Sequence, residues 1–164
     1  MALRPTASAS EASAIIDLID RPAFAATVAG WVHNEWASLS RRTPNETLLR
    51  FTGTLRDTLP VNLVAVGGDS PVGVASLRIY DDVVPVRDVS PWVTNVYVPM
   101  PLRGQGIATA LMSALRVRAH ALGFCSIWLA TEDQQALYAR CGFRHDRQVM
   151  VGGQPADVMR SDLP

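Results

Sequence analysis

Arg103-Gly104-Gln105-Gly106-Ile107-Ala108 and, further along, Tyr138 are the positions where residue type and spacing can do chemistry together. Paired glycines let a backbone come close to a ligand. A helix that starts there leaves N–H groups unpaired and favours negative charge. The combination is a seat for phosphate groups. A tyrosine hydroxyl brought near such a seat is a proton donor of the kind general acid catalysis uses.

Two familiar owners of a glycine-rich turn do not fit. A Walker P-loop ends in Gly-Lys-Ser/Thr. This chain has no lysine: all 15 basic residues are arginine. A dinucleotide-binding loop needs a third glycine, where this chain has Thr109, and an acidic residue near a second strand end, which is missing.

The elements that must position these residues read as follows. Ile15 to Ile19 forms a strand, and Pro22 opens a helix that carries Phe24, Val28, Trp31 and Val32 and ends near Trp36. Thr43-Pro44-Asn45-Glu46 caps a second helix with Leu48, Leu49, Phe51 and Leu55. Asn62–Val66 and Val72–Ile79 are strands about a glycine-rich turn. A loop through Asp81 and Asp82 leads to the strand Trp92–Val98. The helix behind the glycines runs from Gly106 to Leu122, with Ile107, Leu111, Leu115 and Ala119 on its apolar face. A strand Ser126–Ala130, a short helix Gln134–Arg140 and a hairpin about Gly152-Gly153 complete the chain. This order predicts an α/β (α+β) fold with a mixed, mostly antiparallel sheet of about seven strands and about four helices. Trp92 to Ala130 make its one parallel, right-handed crossover.

Composition sets limits. At 164 residues and 48% hydrophobic content, the chain is long enough for one domain with a core. Residues 1–12 read as a disordered tail and 13–164 as the domain. The net charge of zero gives no general attraction to nucleic acid or to a membrane surface. No run is long and apolar enough to span a bilayer. The tail lacks the apolar centre of a signal peptide, so a cytoplasmic location is expected. Cys125 and Cys141 match no metal spacing and read as two buried free thiols. No metal is expected, and both a monomer and a homodimer fit the composition.

In order and spacing the motifs resemble the GCN5-related N-acetyltransferase (GNAT) family. Arg103 to Ala108 resembles its Arg/Gln-x-x-Gly-x-Gly/Ala loop, and Asn95-Val96-Tyr97-Val98-Pro99 its cofactor-binding strand. Leu129-Ala130-Thr131 is similar to the partner strand, and Leu137-Tyr138-Ala139-Arg140-Cys141-Gly142-Phe143 to a further helix and strand start. The resemblance covers nearly the whole chain and implies acetyl-CoA as co-substrate, with no metal. It assigns the pantetheine arm to backbone groups of Val96, Tyr97 and Val98. The pyrophosphate falls to the amides of Arg103, Gly104, Gln105, Gly106, Ile107, Ala108 and Thr109. Arg103 either helps hold phosphate or pins the loop. Gln134 stands where many relatives reach the cofactor, and it also reads as an ordinary exposed residue at a helix start.

Under this resemblance Tyr138 is the general acid that protonates the departing CoA thiolate. Backbone donors near Val98 would polarise the thioester carbonyl. The base is open: Trp92 stands where several relatives place a glutamate. Glu132, the pair Asp81 and Asp82, and Glu35 are the carboxylates within reach of the expected site, and a water relay is the other route. The function implied is acetyl transfer to a primary amine, on a small molecule or a peptide N-terminus, by direct attack. A non-catalytic acyl-CoA-binding module, or transfer of a different acyl group, would use the same seat.

Overall fold

The computed structural model of the protein describes residues 14–53 and 56–164. The expected N-terminal tail and the expected helical position of Leu55 lie outside the described residues. The strands are β1 (Ala14–Asp17), β2 (Val61–Gly67), β3 (Ser70–Arg78), β4 (Trp92–Tyr97), β5 (Ser126–Thr131), β6 (Arg144–Val151) and β7 (Gln154–Asp162). The helices are α1 (Ala25–Ser40), α2 (Pro44–Leu49), α3 (Ile107–Ala121) and α4 (Gln135–Arg140). One sheet takes the order β1-β2-β3-β4-β5-β7-β6. Every neighbouring pair is antiparallel except β4 with β5. The mixed, mostly antiparallel sheet with one parallel crossover matches the expectation from the sequence.

Both faces of the sheet are covered, and β2 shows why its sequence is apolar throughout. Val61, Leu63 and Ala65 pack in the cluster built on α3 residues Leu111, Met112 and Leu115. Val64 and Val66 point the other way, into a cluster with Val28, Ala29 and Val32 of α1. A strand buried on both faces loses the polar alternation of a half-exposed one. A third cluster packs Val84 and Val86 of the β3–β4 loop against Trp92, Val151, Ala156 and Val158. That cluster ties down a loop that would otherwise have little reason to hold one shape.

Local signals explain the ends of the helices. The Pro22 start becomes a short 3-10 turn, Pro22–Phe24, before α1 begins. Thr43 and Glu46 form the expected capping box on α2: the Glu46 N–H donates to Thr43 Oγ1 at 3.2 Å, and the Thr43 N–H donates to Glu46 Oε2 at 2.7 Å. The cysteines correct the reading of two buried thiols: Cys125 is exposed and Cys141 half-buried. Each sits beside the end of an element rather than within it, so the apolar neighbours in sequence do not enclose it.

Gly73 of β3 lies close against α3. A Cβ there would stand 2.8 Å from Ile107 Cγ2 and 3.1 Å from Leu111 Cδ1. Both side chains are buried, so they have little room to move. Gly73→Ala is expected to destabilise the fold by about 1–3 kcal/mol through this overpacking. Urea denaturation should show a lowered midpoint at unchanged slope.

Candidate active site

The site begins where β4 and β5 part. The two parallel strands share a single bridge, Trp92 with Trp128, reinforced by the Trp128 N–H on the Pro91 carbonyl at 3.0 Å. Beyond it β4 continues to pair with β3, and β5 with β7, but not with each other. The register of β3 with β4 jumps from Ser76–Thr94 to Val74–Tyr97. Asn95 and Val96 therefore face the single residue Ala75, which is a β-bulge. Asn95 takes the left-handed conformation there, with φ of 57°. Its side chain holds the bend by donating to Ser76 Oγ at 3.2 Å, and Ser76 in turn donates to Asn62 Oδ1 at 2.7 Å.

The parted strands open a cleft of about 860 Å³. Val96, Tyr97 and Val98 form one wall, and Ala130, Thr131 and Glu132 the other. Arg103, Gly104, Gly106, Ile107, Ala108 and Thr109 form one end, with Gln134, Leu137 and Tyr138 across from them. Gln105 is exposed between the glycines and is not part of this lining. Gly104 and Gly106 have φ of 77° and 81°, which only glycine adopts at no steric cost. Nothing lies within 4 Å of where a Cβ would stand on either, so the loop has open space beside it. The first bond of α3 is Ala110 N–H to the Gly106 carbonyl. The amides of Ile107, Ala108 and Thr109 precede it, at the positive end of the helix dipole. The loop thus offers unpaired donors and space to a phosphate-bearing ligand, and an unpaired strand edge beside them. The residues fit acetyl-CoA in both respects.

Arg103 pins the loop. Its Nε donates to the Val98 carbonyl at 2.8 Å, and its guanidinium lies 5.6 Å from the Tyr97 ring centroid. Tyr97 is itself packed on Trp31 and Trp36 at 5.8 and 6.4 Å. One residue therefore locks the loop to β4 and α1, and the Val98 carbonyl is already engaged. Gln134 has a comparable local role: its N–H donates to Thr131 Oγ1 at 3.0 Å, which sets the start of α4.

Tyr138 is buried, with 9% of its surface exposed, and its ring meets Phe143 edge to face at 6.2 Å. Burial pushes its phenol up to about 12, with Cys141 and Asp133 adding in the same direction. The hydroxyl thus stays protonated throughout the neutral range.

A smaller pocket of about 120 Å³ adjoins the cleft. Arg42, Arg50, Asp81, Asp82 and Thr94 supply its polar wall, and Val32, Trp36 and Val93 part of its apolar one. Asp82 holds Arg42 at 2.6 Å and Arg50 at 2.8 Å. Burial lowers Arg50, against the pull of Asp82, and draws the neighbouring Arg78 down to about 10. Arg78 donates to the Arg50 carbonyl at 2.9 Å, which backs the pocket wall. Of the tryptophans, Trp92 is fully buried and serves the core, whereas Trp36 lines both cavities. His33 bridges α1 and α2 through Thr47 at 3.2 Å. Among the described residues, no three His, Cys, Asp or Glu side chains cluster as a metal site. No described helix is long and apolar enough to cross a membrane.

Sequence reasoning missed the bulge at Asn95, for which asparagine's tolerance of the left-handed region was the available signal. An acceptor pocket was expected from the first two helices, the loop after Ile79 and the closing hairpin; the smaller pocket draws on α1, the α2 region, that loop, β4, β5 and α4, and none of its lining comes from the hairpin.

A profile of the Acetyltransferase (GNAT) family matches residues 27–143. The chain belongs to this family, whose enzymes use acetyl-CoA as co-substrate. It is 31% identical over 129 residues to N-alpha-acetyltransferase 80 of Mus musculus, an alignment that covers 76% of this chain and 39% of that protein. The chain therefore spans well under half the length of this curated relative. Its fold is similar to that of yncA from Salmonella typhimurium, solved with acetyl-CoA, at a TM-score of 0.72 and 20% identity, covering 94% of this chain and 95% of that one. The aminoglycoside 6'-N-acetyltransferase from Enterococcus faecium matches with a TM-score of 0.67 and 14% identity, over 92% of this chain and 98% of its own.

Arg103→Ala removes a hydrogen bond and a cation–π contact that hold the loop. We expect acetyl-CoA to bind about tenfold more weakly, as measured by calorimetry, with the fold intact.

Proposed function

We propose that the protein is an N-acetyltransferase that moves the acetyl group of acetyl-CoA to a primary amine by direct attack in a ternary complex. The observation that carries this reading is the position of Tyr138, whose side chain lines both the cleft and the smaller pocket. In this reading the cleft takes the CoA thioester and the smaller pocket the amine, on a small molecule or at a peptide N-terminus. The unpaired edge of β4 receives the pantetheine arm as an added strand would be received. The amides at the start of α3 receive the pyrophosphate.

Attack of the amine nitrogen on the thioester carbon forms the C–N bond and breaks the C–S bond. The sulfur leaves with the electron pair. Tyr138 first donates a hydrogen bond to it and then supplies the proton as negative charge develops. Its raised pKa keeps the donor in place at every ordinary assay pH. The nearby N–H of Val98 is the group available to stabilise the carbonyl oxygen. No cysteine lines either cavity, so the route needs no acyl-enzyme. A carboxylate or a chain of waters takes the amine's proton; Glu35, Asp81, Glu132 and Asp133 line the cleft.

The test is release of CoA thiol across a panel of primary amines. Turnover is expected with intersecting initial-rate lines, the pattern of a ternary complex. Tyr138→Phe should lower kcat about a hundredfold or more, with little change in the KM for acetyl-CoA. Tight CoA binding with no turnover on any amine would instead fit a binding module.

A further inference from the structure

We propose that Asp81 is the residue that accepts the amine's proton, and that the acceptor's ammonium group arrives through the smaller pocket beside it. The proposal rests on the acetyl-transfer reading above. Trp36, Asp81, Val83, Val96, Ala130 and Tyr138 line both cavities and so mark where donor and acceptor meet. Of these six only Asp81 and Tyr138 can exchange a proton at ordinary pH. Glu132 lines the cleft alone and is exposed.

Neighbours in sequence, Asp81 and Asp82 differ in their partners. Asp82 is committed to Arg42 and Arg50. Asp81 makes no ion pair among the described residues. Its Oδ1 accepts the Val83 N–H at 3.1 Å, an Asx-type turn that fixes the carboxylate's direction. Its Oδ2 accepts from no described residue and is left for a ligand. Thr94 also belongs to this pocket's lining, and its hydroxyl is buried beside it without a partner. A cation entering the pocket would find the Asp81 Oδ2 unused.

Burial raises the Asp81 carboxyl above its ordinary value. Asp82 adds to the rise, while the Val83 N–H, Arg50 from the end of α2 and Arg87 from the same loop oppose it. Arg42 on the wall of the smaller pocket, Tyr138 from α4 and Glu35 from α1 are further ionisable groups about these cavities. A carboxylate with a raised pKa is the better base. The ionised Asp81 takes one proton from the ammonium group and frees the nitrogen lone pair. The nitrogen attacks the thioester carbon, and the C–S bond breaks. The second nitrogen proton is lost as the amide forms and replaces, through solvent, the one that Tyr138 gave to sulfur. Asp81 then releases its own proton to water. No oxidant or further reactant is needed.

Asp81→Asn keeps the bond to Val83 and removes the base. With ethylamine, spermidine and a tetrapeptide as acceptors, it should lower kcat/KM about a hundredfold or more on whichever amine is used. In the wild-type enzyme the rate should rise with pH and level off as pH passes the raised Asp81 pKa, because only the ionised carboxylate accepts a proton, and Asp81→Asn should lack this limb. Asp69→Asn, in the exposed turn between β2 and β3 and in the lining of neither cavity, should leave both nearly unchanged. An Asp81→Asn enzyme with wild-type rate and acid limb, or an acid limb lost in Glu132→Gln and kept in Asp81→Asn, overturns the proposal. A second measurement does not need turnover. In the CoA complex, the Asp81 Cγ signal, assigned by its absence in Asp81→Asn, should titrate above the usual aspartate range. Ethylammonium chloride, against a sodium chloride control, should draw it downward. A signal that ignores ethylammonium overturns the role of Asp81 whether or not an amine is acetylated. Failure of every amine alongside a responsive Asp81 would sink the acetyl-transfer reading alone.

Discussion

Two parallel strands that meet only at Trp92 and Trp128 must leave backbone groups unpaired beyond that point. Such groups, if buried dry, cost about 1–3 kcal/mol each. The fold keeps them in an open cleft, where water or a ligand can satisfy them. The bulge at Asn95 makes the parting permanent, because it turns β4 while β3 holds the strand on its other side. Everything functional is arranged around this gap. The start of α3 lines the cleft, the smaller pocket adjoins it, and Tyr138 lines both.

The bulge is also connected to the pocket by polar contacts. Asn95 donates to Ser76, Ser76 to Asn62, and Asn62 to the Arg50 carbonyl at 3.4 Å. The same carbonyl accepts from Arg78. A chain of buried groups therefore runs from the strand that faces the cleft to the arginine that holds Asp82. Half-satisfied networks of this kind are costly, and satisfied ones fix a single arrangement. Within this network the Arg78 Nε is a buried donor that meets no partner among the described residues. The neighbouring guanidiniums of Arg42 and Arg50 already share one carboxylate, so Asp82 has little capacity left for it.

Much of this was legible in the sequence because it is local. The capping box on α2, the apolar face of α3 and the positive-φ glycines are each written within a few residues. The glycine loop and Tyr138 carried the family resemblance, and the structure gathers them about one cleft. The sequence could not tell Glu132 from Asp81 in burial, because a carboxylate's burial depends on what packs over it from elsewhere. The cysteines misled for the same reason: apolar sequence neighbours do not decide exposure at the edge of an element. Arg103 was open between two roles, and its contacts with the Val98 carbonyl and the Tyr97 ring show the pinning one, which only the folded chain makes visible.

The two residues at the junction come from parts of the chain that are rigid for different reasons. Tyr138 is held by Phe143 from the following strand region and by an α4 start fixed through Thr131. Asp81 sits on a loop, yet Val84 and Val86 bury that loop against β5 and β7 neighbours, and Asp82 staples it to α1 and α2 through arginine. An ionisable group on a loose loop would solvate itself and keep an ordinary pKa. Here packing and the arginine staple hold Asp81 against the cleft and deny it a partner of its own. The adjacent carboxylate neutralises the nearest positive charges, so Asp81 stays basic rather than being pulled down by them. In the proposed mechanism one Asp-Asp pair thus separates two tasks that a single carboxylate does poorly together: holding the wall and moving a proton.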